Sequence, residues 1–255
     1  MKGNNTKKRS SRENVDINSH EKKDSYLNIH IKRFKFLLRL IRQNARESDK
    51  IGDIGISPFS CICASEIGFD NFYAIVPNKQ FIDKSLSCHA SLNYLFFDLA
   101  SNSSSTNPET SVITETLDIV VLSEVLEHLL SEDRSILNNL KKLLKPNGLL
   151  IITVPNATSL WNRIRLLIGR NIHSSKAEIL NGVFGGYGHI REYTMKEVKS
   201  LLDDCGFKIK LLGGFNGYGG NGVAGRVARA FLNLAPASLS FHIVGVASKD
   251  DQHDT

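Results

Sequence analysis

The sequence predicts an α/β protein built on a doubly wound, seven-stranded sheet, mostly parallel with its last strand antiparallel, behind an N-terminal helical extension. Three observations predict it. From residue 51 onward, apolar runs of strand length alternate with amphipathic runs of helix length. Residues 117–156 read as buried strand, helix and buried strand, the βαβ crossover from which parallel sheets are made. Polar side chains crowd the end of the first of those two strands, where open α/β sheets bind ligands.

Residues 1–24 are Lys, Ser, Asn and Asp with almost no apolar content, and are expected to be a disordered basic tail. Residues 25–47 form an amphipathic basic helix. Leu27, Ile31, Phe34, Leu38 and Ile41 make its apolar stripe, and Lys32, Lys35, Arg39, Arg42 and Arg46 an adjoining basic one. Two kinds of role suit this helix: capping the sheet edge or the ligand pocket, or contact with a phosphate-bearing substrate or, as peripheral membrane contact through residues 26–46, with anionic lipid. The remaining domain spans 48–250, with a short tail at 251–255.

Within the domain, strands are expected near 51–54, 71–76, 93–97, 117–122, 149–154, 207–212 and 241–247. Helices are expected near 58–66, 79–86, 132–144, 157–168, 194–205 and 223–233. Residues 101–115 read as a polar loop. Lys145-Pro146-Asn147-Gly148 reads as a turn, and Thr194 with Glu197 three residues on has the spacing of a capping box. The Gly-rich run 213–225 lacks the Lys-Ser/Thr of a phosphate-binding loop, and a mobile loop over the site is expected there.

Composition sets limits. The 255 residues hold 41% apolar side chains, and no apolar run approaches the length of a membrane span. The polar start shows no signal peptide, so a cytoplasmic location is expected. Cys61, Cys63, Cys88 and Cys205 are expected to be unpaired thiols in a reducing compartment. The net charge is +6, but residues 1–46 hold 13 Lys/Arg against 4 Asp/Glu, a balance of +9. The other 19 and 22 leave the domain at −3. Without a basic, aromatic-interleaved surface in the domain, a nucleic-acid partner is not expected.

The residues that invite chemistry follow the fourth strand. On a helix, Glu124, Glu127 and His128 stand at i, i+3 and i+4 and share one face. His189 follows 61 residues after His128. Two carboxylates and two imidazoles can hold a divalent metal, serve as a base, or merely orient the loop.

The segment LDIVVLSEVLEHL … LLKPNGLLIITVPN resembles the second half of class I S-adenosylmethionine-dependent methyltransferases, a Rossmann-like fold, and the likeness covers about residues 48–210. It implies S-adenosylmethionine as cofactor. Asp53 and Gly55 match the acidic residue and first glycine of the family's first motif, while Ser57 and Phe59 replace its second and third glycines. Val76 stands where the family sets an acid for the ribose, leaving Asn78 as a weaker substitute. Asp98 and the Leu99 N–H match the adenine site, and the backbone of Ser123 and Glu124 would line the cofactor. Quinone-biosynthesis O-methyltransferases and small-RNA 2′-O-methyltransferases show a similar Glu-x-x-Glu-His with a later His. That assigns His128 and His189 to catalysis and Glu124, Glu127, His128 and His189 to a divalent metal.

Gly188 to Thr194, with Trp161-Asn162-Arg163 and Gly169-Arg170-Asn171, looks most like bacterial methyltransferases of glycan, lipid and secondary-metabolite pathways. The expected reaction is therefore O-methylation of a small-molecule, lipid- or sugar-linked acceptor. A metal-assisted RNA 2′-O-methyltransferase and a non-catalytic scaffold with a degenerate cofactor site are the alternatives.

Overall fold

The computed structural model describes residues 27–100, 114–180, 188–217 and 235–250. Helix α1 (27–44) leads into β1 (Ile51–Ile54), α2 (Pro58–Ile67), β2 (Phe72–Val76), β3 (Asn93–Phe96) and β4 (Leu117–Ser123). Then come α3 (Asp133–Leu143), β5 (Leu144–Pro155), α4 (Leu160–Leu167), α5 (Lys176–Leu180), α6 (Met195–Asp204), β6 (Phe207–Phe215) and β7 (His242–Lys249). The seven strands make one sheet in the order β3-β2-β1-β4-β5-β7-β6. The first five are parallel, and β7 runs antiparallel between β5 and β6.

The strands are apolar on both faces because helices cover both. In β4, Ile119 and Val121 point into one core with Phe34, Leu37, Leu40 and Ile41 of α1 and Phe59 and Cys63 of α2. Val120 and Leu122 point into the other, against Ile136, Leu137 and Leu140 of α3 and Val198 and Leu202 of α6. The period-2 alternation of side chains divides a continuous apolar run between two layers. Phe34, Leu38 and Ile41 of the α1 stripe are therefore core, with Leu27 packed against them, and that apolar surface is not available to a membrane.

Three expectations need correction. The helix near 79–86 is a single 3-10 turn, Lys79–Phe81, capped by the Asn78 side chain on Gln80 N–H at 2.8 Å. Within 79–86 only Leu86 is buried, so no apolar stripe could hold a longer helix to the sheet. Part of the Gly-rich run is strand: Gly213, Gly214 and Phe215 pair with Val244, Ile243 and His242. The Gly214 backbone lies so near the 237–240 turn that a Cβ would meet Ser240 Oγ and Ala237 O. Residues 218–225 of that run, the helix expected near 223–233 and most of the loop 101–115 lie outside the described residues. Finally, Cys61 and Cys88 form a disulfide, with Cα atoms 5.5 Å apart, joining α2 to the connection between β2 and β3. Cys63 and Cys205 are buried free thiols. A disulfide persists in oxidising surroundings, so a reducing compartment no longer follows from the cysteines.

Leu37 is fully buried between α1 and the sheet. Leu37→Ala should lower the unfolding free energy by about 2–5 kcal/mol, read by chemical denaturation of the full chain. A loss near zero would mean that α1 is not part of the core.

Candidate active site

The strand order reverses between β1 and β4, and the crevice beyond their C-terminal ends is where this topology binds ligands. β1 brings Asp53 and Gly55 there; β4 brings Ser123 and Glu124. Gly55 has φ +91°, and a Cβ built on it would meet nothing within 4 Å. The left-handed turn thus needs glycine, and the space beside it is open to a ligand. Ser57 is the N-cap of α2: its hydroxyl accepts from Phe59 N–H at 3.2 Å, while its own N–H donates to Ser60 Oγ at 3.0 Å. This capping box absorbs donors that the family's glycines would turn toward a ligand. Phe59, in place of the third glycine, packs against Phe34 with ring centroids 5.5 Å apart and so seats α1 on α2.

Asp53 is buried, and Ser60 Oγ donates to it at 2.7 Å. Burial pushes its carboxyl up to about 7, against the partial relief of the Ser60 bond and the Arg33 charge. Glu124 follows β4 with φ +55°, a backbone state that non-glycine residues rarely adopt. It is held there by its N–H on Thr153 O at 2.9 Å, and its carboxylate meets Thr153 Oγ1 at 3.0 Å, Arg33 Nη1 at 3.2 Å and His242 Nε2 at 3.4 Å. Burial alone would raise its pKa, but His242, Arg33 and Thr153 together hold it well below the usual range.

Arg33 is the residue that sequence reasoning missed. It projects from α1 into the crevice, is buried, and its Nε has no hydrogen-bond partner. The signal was available: Arg33 shares a helix face with Leu37 and Leu40, at i+4 and i+7, instead of joining the basic stripe. Its neighbour His30 is held down to about 4 by burial first and by Arg33 second.

The next turn carries the second cluster. Leu126–His128 is a single 3-10 turn, not the start of a helix, because the left-handed Glu124 breaks the helical path. The expected common face of Glu124, Glu127 and His128 does not form. Glu124 faces Arg33 and His242; Glu127 faces His128 and His189. The segment 188–193 runs back beside β5, with Ile190 N–H on Glu127 O at 2.8 Å and Tyr193 OH donating to Asp133 at 2.9 Å. It thereby sets the His189 ring against His128, centroids 4.8 Å apart. Glu127 Oε1 lies 3.8 Å from His128 Nε2 and 3.9 Å from His189 Nε2. Glu127 is fully buried, and neither of its carboxylate oxygens has a hydrogen-bond partner. Burial, and next the charge of Glu124, push its pKa well above the usual range. The metal set expected from the sequence thus loses Glu124 and keeps Glu127, His128 and His189, whose ligand atoms lie within 4.8 Å of one another.

The remaining expected cofactor residues are placed less directly. Asn78 spends its side-chain oxygen on its own turn. Val76, in the place of the ribose acid, is buried and cannot accept a hydroxyl. Asp98 is exposed at the end of β3, with Oδ1 accepting from Ala100 N–H at 2.9 Å, and the Leu99 side chain is core. Ser123 Oγ is 2.9 Å from Thr153 Oγ1, so its hydroxyl serves the sheet.

The crevice fits a cofactor that carries both an amino-acid head and a positive charge. It offers open space at Gly55, a buried guanidinium nitrogen for a carboxylate, and two buried carboxyls, Asp53 and Glu127, that pair with no Lys or Arg among the described residues. The Asp53 shift also has a stability consequence. Between pH 3.8 and about 7 the unfolded carboxyl ionises while the folded one keeps its proton, so stability falls as pH rises through that window. In the cofactor-free protein, Asp53→Asn should flatten that decline, by a few kcal/mol at most. Identical pH profiles of Tm for the two proteins would contradict the shift.

Comparison with known proteins agrees with this fold. The model of a methyltransferase-domain family matches residues 32–212. Among solved structures, an S-adenosylmethionine-dependent methyltransferase from Methanosarcina mazei is 19% identical with a TM-score of 0.51, covering 83% of this chain and 97% of its own. One from Archaeoglobus fulgidus is 17% identical with a TM-score of 0.54, covering 88% and 99%. A Thermotoga maritima protein described as a possible histamine N-methyltransferase is 13% identical with a TM-score of 0.57, covering 92% and 96%. At these identities the likeness is one of fold. No curated protein sequence matches the chain.

Proposed function

The chain belongs to the methyltransferase-domain family, an S-adenosylmethionine-dependent enzyme family, and from that premise we propose that it methylates a hydroxyl oxygen of a small-molecule, lipid- or sugar-linked acceptor. The observation that carries this reading is the pair of imidazoles, His128 and His189, set around the buried Glu127 at the exit of β4.

Bound S-adenosylmethionine supplies a methyl group on a sulfonium, a good leaving group. Asp53 and Arg33 would hold the ammonium and the carboxylate of its amino-acid head, and Gly55 would give it room. An acceptor hydroxyl is a poor nucleophile while it keeps its proton, so a base that takes the proton as the oxygen attacks lowers the barrier. One imidazole of the pair would accept the hydroxyl proton as the oxygen attacks, and the methyl donor would leave as S-adenosylhomocysteine. Glu127 lies 3.8–3.9 Å from both rings, and in its ionised form it would stabilise the imidazolium. Glu192 holds the other side of His189, its Oε1 4.0 Å from Nδ1, and is itself positioned by Asn162 at 2.9 Å.

A second reading rests on the orphaned oxygens of Glu127. One carboxylate and two imidazoles make a donor set suited to a divalent cation, which would lower the acceptor's pKa directly.

The test is transfer of labelled methyl from S-adenosylmethionine to hydroxylated acceptors, with cofactor affinity measured separately. Gly55→Val should abolish cofactor binding, and Arg33→Lys should weaken it by about 1–3 kcal/mol. His128→Gln with His189→Gln should leave cofactor affinity unchanged and reduce kcat by about 100-fold or more. Full turnover by that double variant would refute the base. Activity should survive exhaustive chelation; its loss, with recovery on adding Mg²⁺ or Mn²⁺, would transfer the role to the cation.

A further inference from the structure

Helix α4 is amphipathic the wrong way round for a helix packed on its own domain. Its inward face is held by polar bonds: Ser159 caps it, and buried Asn162 donates to Asn156 O at 3.1 Å and to Glu192 Oε2 at 2.9 Å. Its outward face and the residue that follows are apolar: Trp161 is 55% exposed, Leu167 86% and Ile168 61%. Ile164 completes the face at i+3 from Trp161. Scattered exposed apolar side chains are ordinary, but a contiguous helical set is the mark of a surface that another apolar phase covers.

The charge around it selects the phase. Residues 157–176 contain Arg163, Arg165, Arg170 and Lys176 and no carboxylate. A second copy of the chain would bring the same cations against themselves, which opposes a two-fold contact. An anionic lipid surface meets both features at once. Leu and Ile enter the acyl boundary, Trp takes the interface, and Arg and Lys meet the phosphates. No described helix is long and apolar enough to cross a membrane, so the contact lies on the surface.

We propose that α4 and the residues after it, through Lys176, dock this protein on an anionic membrane surface. The stripe on α1 cannot do this because it is buried in the core. Docking through α4 turns toward the lipid the side of the molecule where Asn162 holds Glu192 and Glu192 meets His189. That orientation of the acceptor cleft rests on the function proposed above; the docking itself does not.

The chain's one tryptophan is Trp161, so its fluorescence reports this surface alone. The full chain is mixed with vesicles of phosphatidylcholine containing phosphatidylglycerol, and with pure phosphatidylcholine. With the anionic vesicles, Trp161 emission should shift to shorter wavelength and be quenched by brominated lipid, an effect that falls with salt. Leu167→Ser with Ile168→Ser should reduce vesicle affinity by about tenfold or more and leave S-adenosylmethionine affinity unchanged. Three results would overturn the proposal. One is vesicle binding that leaves Trp161 accessible to iodide, placing the contact in the basic N-terminal segment. Another is Trp161 already shielded without lipid, showing a cover from this chain or, with concentration dependence, a second copy. The third is no binding to anionic vesicles. Because none of these readouts uses turnover, failure of docking and failure of methyl transfer are read separately.

Discussion

Arg33 faces three buried carboxylates, Asp53, Glu124 and Glu127, at the ends of β1 and β4, and one guanidinium cannot neutralise all three. It pairs with Glu124 at 3.2 Å, and that carboxylate stays ionised. Asp53 and Glu127 make no ion pair with Lys or Arg among the described residues and are pushed toward the protonated form by burial, which the Arg33 charge only partly offsets. Breaking the Arg33–Glu124 pair from either side would leave a buried charge, a loss of about 3–5 kcal/mol. The constraint explains why α1 must be seated on α2 by Phe34 and Phe59: it is the arm that carries the guanidinium into the crevice. It also gives a physical reason for the backbone strain at Glu124, since the left-handed turn aims its carboxylate back at Arg33, Thr153 and His242 instead of along the next turn.

The same imbalance divides the crevice into two chemistries. On the Asp53 side, a positively charged ligand answers a buried acid, which suits a sulfonium cofactor with an ammonium head. On the Glu127 side, a proton or a divalent cation answers it, and both lie beside the imidazoles that an acceptor would meet. α4 belongs to this second half, because Asn162 reaches from it to Glu192 while its apolar face looks outward. Acceptor chemistry and lipid contact are thus linked by one short helix.

Much of this was legible in the sequence because it rests on local periodicity. β4 and the 149–154 part of β5 read correctly since both faces are covered and those apolar runs are continuous, but β5 begins at Leu144 and takes in the expected turn at 145–148, with a register shift against β4. The capping box at Thr194 and Glu197 is present, with Glu197 N–H on Thr194 Oγ1 at 3.2 Å and Thr194 N–H on Glu197 Oε2 at 2.7 Å. What failed depended on tertiary position. Nothing local says that Glu124 adopts a left-handed turn, so the helical spacing of Glu124, Glu127 and His128 misled. The Cys61–Cys88 bond joins residues 27 apart, across two elements that spacing alone does not bring together. The first-motif departures were visible as substitutions, but their meaning needed the packing: Ser57 closes a cap and Phe59 builds the α1 contact. Arg33 was legible in principle, as a cation on an apolar helix face.

The crevice carries buried acid that awaits the positive charge of S-adenosylmethionine. Proton linkage tests it most directly. At about pH 6, between the ordinary Asp value of 3.8 and the folded value of about 7, most of the Asp53 carboxyl holds its proton. Calorimetry of S-adenosylmethionine binding in buffers of different ionisation enthalpy should therefore show release of up to about one proton, and Asp53→Asn should bind with a clearly smaller release. Binding without proton release, or with proton uptake, would contradict the account.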